Sequence, residues 1–197
     1  MRIAAAAIAC GLLLGAFLSD ASVDQWVATH RSVTWETAAK LCSRYSAWHW
    51  LMLAALIGAV IAWLRRRHDW LRMLCVMAVA ASLAGLAADL LRGITGRTRP
   101  YAQVPQGFYG VRDGSQWLIT KHAYNSFPSG HTAAVTGLLV PLIIWRRRLA
   151  WAALLLVCVV GAARVYLGAH HSSDIVAGAL LGVIVAIAVV RRLPAPE

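Results

Sequence analysis

Acidic residues are scarce in this chain. Only eight Asp and Glu occur among 197 residues, and nowhere do they gather into an oxygen cage for a metal ion. Cysteine is sparse as well. Cys10, Cys42, Cys75 and Cys158 share no metal-ligand or redox spacing, and three of them fall inside apolar runs, so they read as small buried hydrophobes. Zinc-finger spacings and a long basic stripe are also missing, which sets nucleic acid aside as a partner despite a net charge of +11. The basic residues are nearly all arginines, placed in short clusters between apolar runs. With 60% hydrophobic residues and a mean hydropathy of +0.64, the chain is too apolar for a soluble protein of its size. Length bounds it to one domain, 1–197.

Six runs predict an all-α polytopic membrane bundle with about six transmembrane helices: 3–18, 48–64, 70–91, 131–145, 149–168 and 173–190. The first lies near the short end for a span and reads either as an uncleaved helix or as a signal peptide. Residues 20–47 mix Trp26, Val27 and Trp35 with Asp24, Arg31, Glu36 and Lys40, the pattern of an amphipathic segment on the membrane surface or of a plain loop. Trp48, Trp50, Trp63, Trp70, Trp145 and Trp151 stand at span ends, as an aromatic belt places them. Putting Arg2, Arg72 and the clusters at 65–67, 146–148 and 191–192 on one side satisfies six alternating spans, and that side is expected to be cytoplasmic. The long loop 92–130 and the junction near residue 170 then both face outward, with His131 at about the outer headgroup level.

Three stretches converge on that outer face. The first ends the third span and holds Arg92, Arg97 and Arg99. The second, Pro128-Ser129-Gly130-His131, opens an apolar helix. The third runs from Arg164 through His170 and His171 to Asp174. Singly, each has a bland explanation: snorkelling arginines, a structural histidine, a carboxylate at a helix N-terminus. Together, at one membrane depth, they form the kind of ionisable cluster that marks a functional site. Unpaired N–H groups at the helix start make an anion cradle, and arginine forks match phosphate oxygens. The chemistry that suits them is phosphoryl transfer, with a histidine nucleophile held in one tautomer by Asp174. His170 and His171 both precede Asp174 within a turn, so the residues alone leave either as the nucleophile.

This pattern resembles the type 2 phosphatidic acid phosphatase (PAP2) superfamily of integral-membrane lipid phosphatases. Its signature is a basic residue, six residues, Arg-Pro; then Pro-Ser-Gly-His; then Arg, five residues, His, three residues, Asp. Here these read Arg92 to Arg99-Pro100, Pro128-Ser129-Gly130-His131, and Arg164 to His170 to Asp174. The resemblance implies that His170 is the nucleophile, that Asp174 orients it, and that His131 protonates the leaving oxygen and later activates water. It also implies that Arg92, Arg99, Arg164, Ser129 and Gly130 hold the phosphoryl oxygens, with no metal and no cofactor. One position departs: the family usually has lysine where this chain has Arg92, a flat fork in place of a point donor. Asp89 is expected to pair with Arg92 and aim it, and Arg97 is the substitute phosphate ligand.

The function expected is hydrolysis of a lipid phosphomonoester or pyrophosphate at the outer face of a bacterial inner membrane. Undecaprenyl pyrophosphate, phosphatidylglycerol phosphate, phosphatidic acid and lipid A 1-phosphate are the candidate classes. Arg112, Lys121, His122, Tyr124 and Asn125 are candidate headgroup readers. The rivals are a lipid-to-lipid phosphotransferase and a non-catalytic carrier of anionic lipids. Oligomeric state is not legible.

Overall fold

The apolar runs fold as seven α-helices in the computed structural model, which describes residues 2–193. Met1 and residues 194–197, part of the expected domain 1–197, lie outside the described residues. The helices are α1 (Arg2–Thr29), α2 (Val33–Tyr45), α3 (Trp48–Leu64), α4 (His68–Thr95), α5 (Gly130–Trp145), α6 (Ala150–Tyr166) and α7 (Ser172–Arg192). In the loop before α5, β1 (Arg112–Asp113) and β2 (Gln116–Trp117) make a small antiparallel hairpin, followed by a 3-10 turn at His122–Tyr124.

Among the described residues, four helices, α1, α4, α6 and α7, are long and apolar enough to cross a membrane. The pair α2 and α3 meets the same criterion taken together, and is bent by 58° at the break between them. The sixth apolar helix is α5, 16 residues long and so about 24 Å. The bundle is thus the multi-pass membrane fold expected.

The segment 20–47 differs from expectation. Residues 20–29 continue α1 without a break, and 33–45 form the separate helix α2, which packs Ala39 and Ser43 inward. Asp20 is buried against Arg97 and the half-buried Asp24 pairs with His171, so both carboxylates have basic partners along the continued helix. The cysteines also depart from the reading as buried hydrophobes. Cys10, Cys75 and Cys158 are exposed on the outside of the bundle and Cys42 is half-buried, all four as free thiols.

The centre of the bundle is α5, packed between α4 and α7. Lipid offers no hydrophobic drive for helices to associate, so close packing of small residues has to supply it. Ala84 and Ala88 of α4 meet Ala133 of α5, all fully buried. On the other side, a Cβ added at Gly178 of α7 would lie 2.5 Å from the Ser129 carbonyl oxygen. That close approach sets the N-termini of α5 and α7 side by side, and the Ser129 N–H donates to the Asp174 carbonyl at 2.9 Å. The end of α4, the starts of α5 and α7 and the end of α6 therefore share one end of the bundle. The arginine clusters 65–67, 146–148 and 191–192 share the other, where Arg146 pairs with Asp69 at 3.2 Å.

Candidate active site

Helix α4 ends at Gly96, whose left-handed backbone (φ 58°) lets the chain turn sharply; a side chain there would strike the Gly110 backbone. The turn leaves Arg92 on the last turn of α4 and carries Arg97 and Arg99 inward, where both are buried. Arg92 pairs with Asp89 as expected, and its guanidinium lies over Gly130, with Nη2 3.0 Å from where a Cβ on that glycine would sit. Arg99 donates to three backbone carbonyls: Nε to His122 at 2.9 Å, Nη1 to Ala169 at 3.2 Å and Nη2 to Asn125 at 3.0 Å. Arg164, at the end of α6, donates to the Ser43 hydroxyl of α2, while its buried Nε has no hydrogen-bond partner among the described residues. Arg92, Arg99 and Arg164 lie within electrostatic reach of one another, an arrangement of like charges that favours an anion between them.

Ser129 caps α5 and is fully buried. Its hydroxyl oxygen accepts from the Thr132 backbone N–H at 3.5 Å and from the Thr132 hydroxyl at 3.1 Å. His131, in the first turn, lies within reach of the charges of Arg164, His170 and Arg92. With Arg92, Gly130 and Asp89 it lines a groove of about 370 Å³, whose remaining wall is Trp48, Ser82, Gly85, Leu86 and Ala134.

The two adjacent histidines are told apart by what their ring nitrogens face. His170, in the link between α6 and α7, is fully buried. Its Nδ1 lies 2.8 Å from the Ser126 carbonyl oxygen and 3.5 Å from Asp174 Oδ2. A carbonyl only accepts, so Nδ1 carries the proton and Nε2 keeps its lone pair. Nε2 is buried and has no partner among the described residues. Burial presses the His170 pKa down to about 4, against the pull of Asp174 and with the Arg164 and Arg99 charges adding to the fall.

His171 faces acceptors on both sides. Nδ1 lies 2.5 Å from Asp24 Oδ2 and Nε2 3.0 Å from the Thr98 carbonyl oxygen. Both nitrogens must donate, which makes the ring an imidazolium with no lone pair to attack anything. Burial opposes this charge, but the Asp24 hydrogen bond and the Asp174 and Asp24 carboxylates carry its pKa above the ordinary histidine value.

Asp174 accepts from three donors. Arg97 Nη1 reaches Oδ1 at 2.6 Å, while the Ser126 hydroxyl at 2.5 Å and the His171 backbone N–H at 2.8 Å converge on Oδ2, which also lies 3.5 Å from His170 Nδ1. The expectation that Arg97 substitutes as a phosphate ligand is corrected here. Its guanidinium is spent on Asp174, Ser173 and Asp20, and it is enclosed by Phe17, Phe108 and Phe127, with ring centroids 5.0, 4.9 and 5.8 Å away.

A PAP2 superfamily model matches residues 70–196, which hold all three stretches just described. The chain belongs to the PAP2 superfamily. Among curated relatives, it is 28% identical over 145 residues to the bacitracin transport permease protein BcrC of Bacillus licheniformis, covering 74% of this chain and 68% of that one. It is 35% identical over 103 residues to the lipid A 1-phosphatase of Rhizobium etli, covering 50% of this chain and 41% of the relative. The match thus spans about two-fifths of that phosphatase's length. Two solved structures share the fold: a PAP2 type phosphatidylglycerolphosphate phosphatase from Bacillus subtilis (TM-score 0.61, 20% identity, 95% and 92% of the two chains) and Aquifex aeolicus LpxE (TM-score 0.62, 16% identity, 87% and 94%).

Of the candidate headgroup residues, Asn125 meets Arg99 through its backbone carbonyl alone, and His122 is the one whose side chain feels the arginine charges. Its pKa is pushed down chiefly by the Arg99 charge, then by burial, Arg164 and Arg92, and its Nδ1 lies 2.6 Å from the Tyr101 hydroxyl. The others turn elsewhere. Lys121 bonds Gln116 on the hairpin, Arg112 stacks on Trp117, and Tyr124 packs edge-on against Tyr109. The Asn125 side chain donates to the Ile119 carbonyl. Sequence reasoning did not single out Ser43, Ser126 or Asp20, since a serine in a mixed helix or loop and a carboxylate at the end of an apolar run carry no spacing signal.

Proposed function

We propose that this PAP2 phosphatase, a single membrane-embedded domain, hydrolyses the phosphate or pyrophosphate group of a membrane lipid through a phosphohistidine on His170. The observation that carries the reading is the pairing of a neutral, unpartnered His170 Nε2 with the Arg92, Arg99 and Arg164 cluster and the N-terminus of α5. In the first half-reaction Nε2 gives its lone pair to phosphorus while His131 delivers a proton to the departing oxygen. The Nδ1 proton stays on the ring, held by Ser126 and Asp174. In the second, His131 takes a proton from a water that attacks the phosphohistidine, and His170 leaves as the neutral ring. Arg92, Arg99, Arg164, the Ser129 hydroxyl and the Gly130 amide stabilise the phosphoryl oxygens throughout.

The groove from Arg92 and His131 to Trp48 and Leu86 supports a lipid substrate, since its far wall is apolar and lies between membrane helices. The arginine clusters at the opposite end of the bundle support a cytoplasmic placement for that end and a periplasmic site on the inner membrane. Undecaprenyl pyrophosphate, phosphatidylglycerol phosphate, phosphatidic acid and lipid A 1-phosphate all present the same group to these residues. The test is phosphate release from a panel of these lipids in detergent with EDTA, alongside His170→Ala. Release by the wild type alone supports the reading, and the ranking names the substrate class. Phosphate appearing on a second lipid rather than in solution points to phosphotransfer, and binding with no turnover points to a carrier.

A further inference from the structure

Behind the proposed nucleophile lies a buried charge cluster that reaches outside the residues matched by the PAP2 model. Asp20, on α1, is 7% exposed; Arg97 is 7% and Asp174 0%. Arg97 bridges the two carboxylates, with Nη2 2.6 Å from Asp20 Oδ2 and Nη1 2.6 Å from Asp174 Oδ1. Ser173 completes the frame. Its N–H donates to Asp20 Oδ1 at 2.9 Å, its hydroxyl donates to Asp20 Oδ2 at 2.5 Å, and Arg97 Nη1 donates to that hydroxyl at 2.6 Å. All three phenylalanines of the chain surround the guanidinium, so it has one orientation and no route to a substrate phosphate.

We propose that Asp20 and Arg97 are positioning residues of the reaction, fixing Asp174 and leaving its side of His170 with a net negative charge. The inference rests on His170 being the nucleophile. Arg97 alone would neutralise Asp174. Because Asp20 shares the same guanidinium, the trio of two carboxylates and one arginine retains one negative charge. That charge matters when Nε2 bonds to phosphorus, because the ring then becomes cationic with its proton still on Nδ1, facing Asp174. A purely structural clamp would need the hydrogen bonds but not the surplus charge. Asp20 therefore acts on the reaction from the first helix, through Arg97, without touching substrate.

The test uses the purified full-length chain in detergent, with phosphate release from short-chain phosphatidic acid and orthovanadate as a competitive inhibitor. Asp20→Asn keeps the shape and removes the charge. It and Arg97→Gln are each expected to lower kcat at least tenfold while KM and the vanadate Ki stay within threefold, because the phosphate-holding arginines are untouched. Arg97→Lys is expected to recover part of the loss. Values of kcat within threefold of wild type overturn the proposal, and so does a collapse of vanadate binding alongside kcat, which would mean a scaffold role. Should Arg97→Gln not fold, Asp20→Asn decides alone. His170→Ala separates the two levels. If it retains activity the nucleophile assignment fails and this inference with it; if it is dead while Asp20→Asn and Arg97→Gln are normal, only this inference fails.

Discussion

Acidification tests the buried His170 directly. Its folded pKa of about 4 lies below the ordinary value of 6.5 that the unfolded chain regains. Above pH 6.5 the ring is neutral in both states and costs nothing. Below it, the unfolded chain takes up a proton that the native site refuses, so stability falls with pH and the loss is complete near pH 4. At about 1.36 kcal/mol per unit, the contribution is about 2 kcal/mol lost by pH 5 and about 3 kcal/mol below pH 4. For a chain of this size that corresponds to a Tm lowered by roughly 4–8 °C at pH 5.

The assay is thermal unfolding in detergent between pH 7 and pH 4.5 for wild type and His170→Gln. Carboxylates that protonate over the same range do so in both proteins, so the difference in slope isolates the imidazole. Wild type is expected to lose stability more steeply than the variant between pH 6.5 and about 4.5. Parallel slopes would refute the reasoning, because they require an imidazole of ordinary pKa and hence one that water reaches. The same burial bears on chemistry. An imidazole titrating near 4 is unprotonated throughout the neutral range, so Nε2 keeps its lone pair where a surface histidine would be partly charged.

Much of this arrangement was legible in the sequence because it is written in fixed spacings. Arg92 to Arg99, Ser129 to His131 and Arg164 to Asp174 are short-range relations, and helices that begin or end beside them place those residues at one end of the bundle. The choice of His170 over His171 came from the family's spacing between arginine and histidine, and the ring-nitrogen partners give it a physical reason. What spacing could not convey was pairing across the fold. Asp20 and Asp24 look like surface charges until Arg97 and His171, some 75 and 150 positions away, are brought against them. Arg97 looked like a spare phosphate ligand because its neighbours Arg92 and Arg99 are in the site, and one turn past Gly96 was enough to aim it the other way. The cysteines misled for a related reason: in a membrane bundle an apolar run faces lipid as readily as core.

Two further outcomes follow from the packing. His171→Ala is expected to keep turnover but to cost roughly 2–3 kcal/mol, because Asp24 and the Thr98 carbonyl lose a charged donor. That cost is full below pH 6.5 and fades as pH rises through the raised pKa of His171; a Tm difference that does not change with pH would count against the imidazolium. Gly178→Ala addresses the placement of the cradle. The new Cβ would lie 2.5 Å from the Ser129 carbonyl oxygen and 3.4 Å from the Ala133 nitrogen, both backbone atoms that cannot swing aside. Helix α5 must therefore retreat from α7, taking Ser129, Gly130 and His131 away from His170. A shift of that kind is expected to lower kcat/KM by about a hundredfold. Gly11→Ala is the matched control, since nothing lies within 4 Å of a Cβ there. If the two glycine variants fold and turn over alike, the contact between α5 and α7 does not set the distance between cradle and histidine.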